Sequence, residues 1–228
     1  MYFVNNINDN FLDGQEAMHC LKVLRKQVGD LINITDGKGH FYKAELTNTA
    51  KKKASYKILE IENVPETKPK LHLYFSPAKQ GVRNEWLLEK CTELGIEAFT
   101  PIICEKSERR KLNLDRLNKI IISAIKQSKR AWLPTLNNML TFAKAIDTLS
   151  EVEKYMASYN SEQKNLEDVL TKDKDVAIFI GPEGDFAERE INLAQKNNFT
   201  IVNLGNYRLR TETACVAVTD LFNILNRT

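Results

Sequence analysis

Val176-Ala177-Ile178-Phe179-Ile180-Gly181-Pro182-Glu183-Gly184-Asp185-Phe186 is the stretch that decides the fold. An apolar strand empties into a glycine-bounded turn, and the turn is expected to lead straight into a helix. Gly181 and Gly184 let backbone approach a ligand closely, and Pro182 fixes one dihedral. The first N–H groups of the following helix are expected to point into the space beyond the strand. Further along, Thr200-Ile201-Val202-Asn203-Leu204-Gly205 repeats the pattern and runs into Asn206-Tyr207-Arg208-Leu209-Arg210-Thr211-Glu212-Thr213-Ala214. Either loop alone reads as an ordinary strand-to-helix connection. Side by side, the two suggest one pocket.

Working outward, the residues after Lys70 alternate between strand and helix patterns. Leu71–Phe75 and Ala98–Ile103 read as strands, and Asn84 to Leu94 reads as a helix closed by Gly95. Leu114, Leu117, Ile121 and Ile125 recur at helical spacing. A helix near Phe142 to Leu149, a strand near Tyr155 to Ser158 and an apolar terminal helix from Thr213 to Asn226 complete the pattern. Such alternation implies an α/β domain with a mostly parallel sheet covered on both sides. The terminal helix is apolar at Val216, Val218, Leu221, Phe222, Ile224 and Leu225, wider than one stripe. It should be buried on more than one side, within the chain or against a second copy.

Before Pro65 the pattern is different. Met1 to Val4, Leu31–Thr35, Phe41–Leu46 and Tyr56–Ile61 read as strands, with Asp36-Gly37-Lys38-Gly39 as a hairpin turn and a helix around Gln15 to Arg25. This is a small β-barrel. Pro65-Glu66-Thr67-Lys68-Pro69 reads as a linker, so the chain divides into residues 1–68 and 70–228.

With 228 residues, 43% of them hydrophobic, the chain can build a real core. No stretch approaches the roughly 18 apolar residues of a membrane span, and Met1–Asn5 lacks the charged start of a secretory signal. A soluble, cytoplasmic protein is expected. Cys20, Cys91, Cys104 and Cys215 lie far apart, and His19, His40 and His72 form no ligand-spaced pair, so neither disulfides nor a metal is expected. The net charge of +3 is small but unevenly placed. Between Glu105 and Arg130, nine basic residues face three acidic ones, a local +6 that leaves –3 for the rest. Concentrated positive charge suits phosphate neutralisation, although a solvated helix face has the same composition.

The two glycine loops resemble the C-terminal half of the ribosomal RNA small-subunit methyltransferase E family, in the SPOUT superfamily. Ile-Gly-Pro-Glu-Gly at 180–184 and Leu-Gly-x-x-Arg-Leu-Arg-Thr-Glu-Thr-Ala at 204–214 carry the likeness. His19-Cys20-Leu21-Lys22-Val23-Leu24-Arg25, Glu89-Lys90-Cys91-Thr92-Glu93-Leu94-Gly95 and Gln127-Ser128-Lys129-Arg130 with Pro134 match further family segments, in order. Three departures stand out: Asp185 replaces a usual second glycine, Ala187 a helix-capping serine, and Tyr207-Arg208-Leu209 the common Arg-Ile-Leu. Asp185 is expected to take over the missing cap by accepting from Glu188 or a nearby N–H.

The resemblance implies methyl transfer from S-adenosylmethionine to N3 of a uridine in 16S rRNA of the small ribosomal subunit. It also implies a C-terminal trefoil knot, a PUA-like RNA-binding barrel and a homodimer. For the cofactor it points to Ile180, Gly181, Pro182, Glu183, Gly184, Leu204, Gly205, Arg208, Leu209 and Thr213. Arg210 and Glu212 are candidates for removing the N3 proton or stabilising the uracil anion. RNA contact is expected from Arg25, Arg83, Lys90, Arg109, Arg110, Lys129 and Arg130. Other readings stay open: a related methyltransferase for another RNA base, or a noncatalytic RNA-binding or assembly protein. A phosphate-loop enzyme is disfavoured, because no Lys-Ser/Thr follows the glycines.

Overall fold

A computed structural model describes residues 1–50, 52–149, 152–159 and 163–227. They form two compact units, one of Met1–Glu66 with Ile122–Leu133 and one of Thr67–Ile121 with Pro134–Thr228. The first unit holds a five-stranded sheet of β1 (Tyr2–Phe3), β2 (Phe11–Leu12), β3 (Leu31–Thr35), β4 (His40–Ala50) and β5 (Lys53–Asn63), ordered β1-β3-β4-β5-β2. Helix α1 (Gly14–Met18) continues through a wider π-helical turn, His19–Val23. Both edge strands feed one core: Tyr2 and Leu12 pack in the same cluster as Ile34, Tyr42, Leu46 and Tyr56. The sheet therefore wraps around a single apolar centre without pairing its edges, as a small PUA-like barrel does.

The hairpin turn explains why Ile122–Leu133 packs with this unit. At Gly39, φ is +91° and an added Cβ would strike the Trp132 ring; at Gly37 it would meet Leu133 Cβ at 2.8 Å. The glycines thus admit a tryptophan whose indole N–H donates to Val64 O at 3.0 Å. Within the same unit, Lys126 Nζ and Glu16 Oε1 lie 2.5 Å apart.

The second unit is a parallel sheet flanked by helices. Its strands are β6 (Leu71–Phe75), β7 (Ala98–Ile103), β8 (Thr135–Leu136), β9 (Leu140–Thr141), β10 (Glu153–Ala157), β11 (Val176–Ile180) and β12 (Thr200–Val202). The order is β12-β10-β11-β6-β7-β8, with β9 also on β7, and every pair is parallel. Helices α2 (Gly81–Glu93), α4 (Phe142–Asp147), α5 (Leu166–Val169), α6 (Glu188–Lys196) and α7 (Thr211–Asn226) connect or follow the strands, whereas α3 (Leu114–Ser128) is divided between the units at Ile122. All five residues of β11 are buried, as its unbroken apolar run requires for a strand covered on both faces. Phe179 at its centre stacks on Tyr74 with ring centroids 4.5 Å apart and meets Phe142 and Phe199 edge-on.

Where the sequence pattern was strong, the elements fall close to expectation. Gly95 takes φ +102° just past α2, the conformation that lets a helix stop. The short β2, β8, β9 and α5 carry too few residues for a period to show. One expectation fails: the helix after Gly184 starts only at Glu188, so loop residues rather than helix N–H groups, among them Gly181, Pro182, Glu183 and Asp185, border the space beyond β11.

His72, half-buried on β6, shares its Nε2 with Thr100 Oγ1 at 2.8 Å. Burial pushes its imidazole down to about 4 from 6.5. A proton therefore prefers the unfolded chain, and stability held above pH 6.5 is lost as pH falls through 6.5 towards 4. Urea midpoints measured across that window should decline in the wild type and decline less in His72→Gln.

Candidate functional site

Three strand ends meet in register: Ala157 of β10 pairs with Ile180 of β11 on one side and Val202 of β12 on the other. The chain leaves β11 and crosses β10 to reach β12, so the loops that follow β11 and β12 come side by side. Open α/β sheets bind ligands outside the carboxyl ends of their strands. An open cleft lies there. Its floor is apolar and buried, with Ile180, Val202 and Ala214 each 6% exposed or less. Its walls are Ser158 and Tyr159, the loop from Gly181 to Asp185, and the loop from Leu204 to Leu209 with Thr211.

Hydrogen bonds join these walls. Thr211, the first residue of α7, donates its hydroxyl to Gly181 O at 2.8 Å. Arg208 Nη2 donates to Glu183 O at 2.7 Å, so the α7 end of the second loop grips the first loop twice. Gly205, with φ +85°, gives the second loop its left-handed bend. On the outer side, Lys106 Nζ donates to Gly184 O at 3.0 Å and Phe186 O at 3.2 Å.

Asp185 does not cap α6. Its Oδ1 accepts from its neighbour Phe186 N, and its Oδ2 accepts from Ser158 Oγ at 3.1 Å and Tyr159 N at 3.3 Å. The cap comes instead from Glu190, whose Oε2 accepts from Ala187 N at 2.9 Å. The φ of Asp185 is +61°, a left-handed conformation that glycine enters freely and aspartate tolerates. The departure from the family's glycine thus keeps the backbone shape and adds a tie to the loop after β10.

Of the residues expected at a cofactor, Ile180, Gly181, Pro182, Glu183, Leu204, Arg208 and Leu209 line the cleft. Gly184, Gly205 and Thr213 are outside its lining. Thr213 is exposed because α7 begins at Thr211, which puts Thr211 and Ala214 on the inward face and turns Thr213 away. Sequence reasoning missed Ala157, Ser158, Tyr159, Asp185, Val202, Tyr207, Thr211 and Ala214 as wall residues.

Neither Arg210 nor Glu212 lines the cleft. Arg210 is exposed at the start of α7. Glu212 is 7% exposed; its Oε1 lies 3.5 Å from Arg83 Nε, and its Oε2 has no hydrogen-bond partner among the described residues. A buried carboxylate oxygen without a donor costs on the order of 1–3 kcal/mol, so this group is poised to accept one.

The expected RNA-contacting residues divide between the units. Arg25, Lys129 and Arg130 belong to the first, with Arg25 and Lys129 exposed. Arg83, Lys90, Arg109 and Arg110 belong to the second. Several cations there are already engaged: Lys90 lies 2.7 Å from Glu89 and 2.9 Å from Glu93, and Arg109 Nε donates to the Ala78 and Lys79 carbonyls. Arg110 donates weakly to Glu105 O at 3.3 Å and stays exposed.

Comparison with known proteins gives the cleft its context. The RNA methyltransferase domain family matches residues 65–223, and the RNA methyltransferase PUA domain family matches residues 12–59. Ribosomal RNA small subunit methyltransferase E of Bacillus subtilis (strain 168) is 29% identical over 217 residues, 89% of this chain and 85% of the relative. Among solved structures, a probable rRNA-methyltransferase from Porphyromonas gingivalis is similar with a TM-score of 0.93 at 32% identity, over 99% of this chain and 97% of that one. A ribosomal RNA small subunit methyltransferase E from Neisseria gonorrhoeae, bound to S-adenosyl methionine, gives 0.88 at 29% identity over 99% and 97%. Matches that run in order through both units and nearly span their relatives show that this chain belongs to the ribosomal RNA small subunit methyltransferase E family of RNA methyltransferases.

Proposed function

We propose that the chain transfers a methyl group from S-adenosylmethionine to N3 of a uridine in 16S rRNA of the small ribosomal subunit. The observation that carries this is the cleft at the ends of β10, β11 and β12, walled by two hydrogen-bonded loops. The apolar floor and the main-chain groups of Gly181, Leu204 and Leu209 suit an adenosine. The carboxylates of Glu183 and Asp185 suit a ligand bearing positive charge. S-adenosylmethionine, when bound, supplies an already electrophilic sulfonium methyl. What remains for the protein is alignment, which contributes up to about 7–11 kcal/mol when reacting atoms are well placed, and removal of the N3 proton.

Of the two candidates named in the sequence, Arg210 and Glu212, only Glu212 can take up a proton; its Oε2 is buried with no hydrogen-bond partner among the described residues, and it lies outside the lining of the cleft. Arg83 balances its charge, and the exposed Arg210 at the head of α7 is assigned to the developing uracil anion. Residues 1–68 are assigned to RNA binding and 70–228 to catalysis, in a cytoplasmic homodimer. The trefoil knot belongs to the same reading, supported by the way α7 starts against the loop after β11. Lys129 and Arg25 are the favoured phosphate contacts, being exposed, whereas Lys90 already faces two carboxylates.

Purified protein with S-adenosylmethionine and small subunits from cells lacking the chain should restore one methylated uridine by nucleoside mass mapping. A methyl group on another base would move the reading to a related methyltransferase, and absence of donor binding by calorimetry would leave a noncatalytic RNA binder. Glu212→Gln should lower kcat by roughly 10²–10⁴-fold, the usual scale for general acid–base groups, while donor Kd holds. Lys129→Ala should weaken RNA binding uniformly and reduce the salt slope by about 1. An unaltered slope removes Lys129 from the interface.

A further inference from the structure

Two tyrosines at the mouth of the cleft have no part in the chemistry above. Tyr207 lines the cleft yet is 82% exposed, and Tyr159 lines it from the opposite loop at 55% exposed. Their loops are joined at the rim, where the Tyr159 hydroxyl donates to Asn206 O at 3.4 Å. Asp185 holds the Tyr159 backbone in place through Tyr159 N at 3.3 Å. An aromatic ring this exposed contributes little to folding, because burial of its surface is what would stabilise it.

We propose that Tyr207, with Tyr159 beside it, is the stacking platform on which the target pyrimidine of the RNA rests as it enters the cleft. The inference rests on the methyltransferase reading. The donor belongs against the buried floor of Ile180, Val202 and Ala214, so the acceptor must arrive from the solvent side, where the rings stand. A base presented for chemistry on its ring has left its own stack, and an aromatic face offsets that loss whatever the neighbouring sequence.

The test compares Tyr207→Ala and Tyr207→Phe with the wild type by donor calorimetry, RNA steady-state kinetics on isolated small subunits, and urea unfolding. Tyr207→Ala should raise the RNA KM by roughly five- to hundredfold, from the stacking lost per base. Its donor Kd and urea midpoint should match the wild type, and Tyr207→Phe should recover the wild-type KM, because the ring and not the hydroxyl stacks. An RNA KM unchanged by the alanine, with normal wild-type activity, overturns the platform and leaves the methyltransferase reading intact. A donor Kd that rises with the alanine overturns it too, by making the ring a cover for the donor. A wild-type chain that neither binds donor nor methylates RNA overturns the parent reading and the platform together.

Discussion

The buried hydrogen bond from the Thr211 hydroxyl to the Gly181 carbonyl holds the rest of the site in place. It joins the first turn of α7 to the loop that leaves β11, and so fixes the distance between the two glycine loops. Arg208, just before α7 in the second loop, adds a second tie by donating to Glu183 O. The sheet alone would bring Ala157, Ile180 and Val202 together. A sheet edge is only a floor, however, and the walls need cross-loop bonds to stand at a fixed separation. Each such bond contributes on the order of 0.5–1.5 kcal/mol to stability, but its larger effect is to preorganise the cleft, so that a ligand need not order it.

Charge tells a different story from the one its total suggests. The +6 segment from Glu105 to Arg130 reads as a phosphate-binding surface, yet several of its cations serve the protein itself. Lys106 braces the loop after β11, Arg109 braces the loop after β6, and Arg116 faces Glu85 at 2.7 Å. Other cations of the segment, Arg110 and Lys129 among them, stay exposed. A count of lysines and arginines therefore overstates the interface, since the same side chains that neutralise phosphate also satisfy carbonyls and carboxylates.

The second unit was legible wherever a periodic pattern ran long enough. Val176–Ile180 is an unbroken apolar run, Leu71–Phe75 and Ala98–Ile103 are mainly apolar runs interrupted by His72 and by Thr100-Pro101, and Leu117, Ile121 and Ile125 mark a helix by spacing alone. The cleft's main loops were visible because glycine and proline punctuate them. The third wall, Ser158 and Tyr159, was not, because nothing in its local composition marks a ligand surface; its role follows from β10 lying between β11 and β12. The packing of Ile122–Leu133 with the first unit was also silent, since it depends on Trp132 entering the space that Gly37 and Gly39 leave open. Asp185 misled for a physical reason: an aspartate before a helix usually caps it, but a left-handed φ turns this one towards Ser158.

Hydrogen–deuterium exchange with and without S-adenosylmethionine, resolved to short peptides, tests the central claim most directly. The account predicts that the donor slows exchange together in three segments, 157–159, 180–185 and 204–211, because one ligand spans all three walls. Protection confined to a single segment, or appearing only in the first unit, would contradict it.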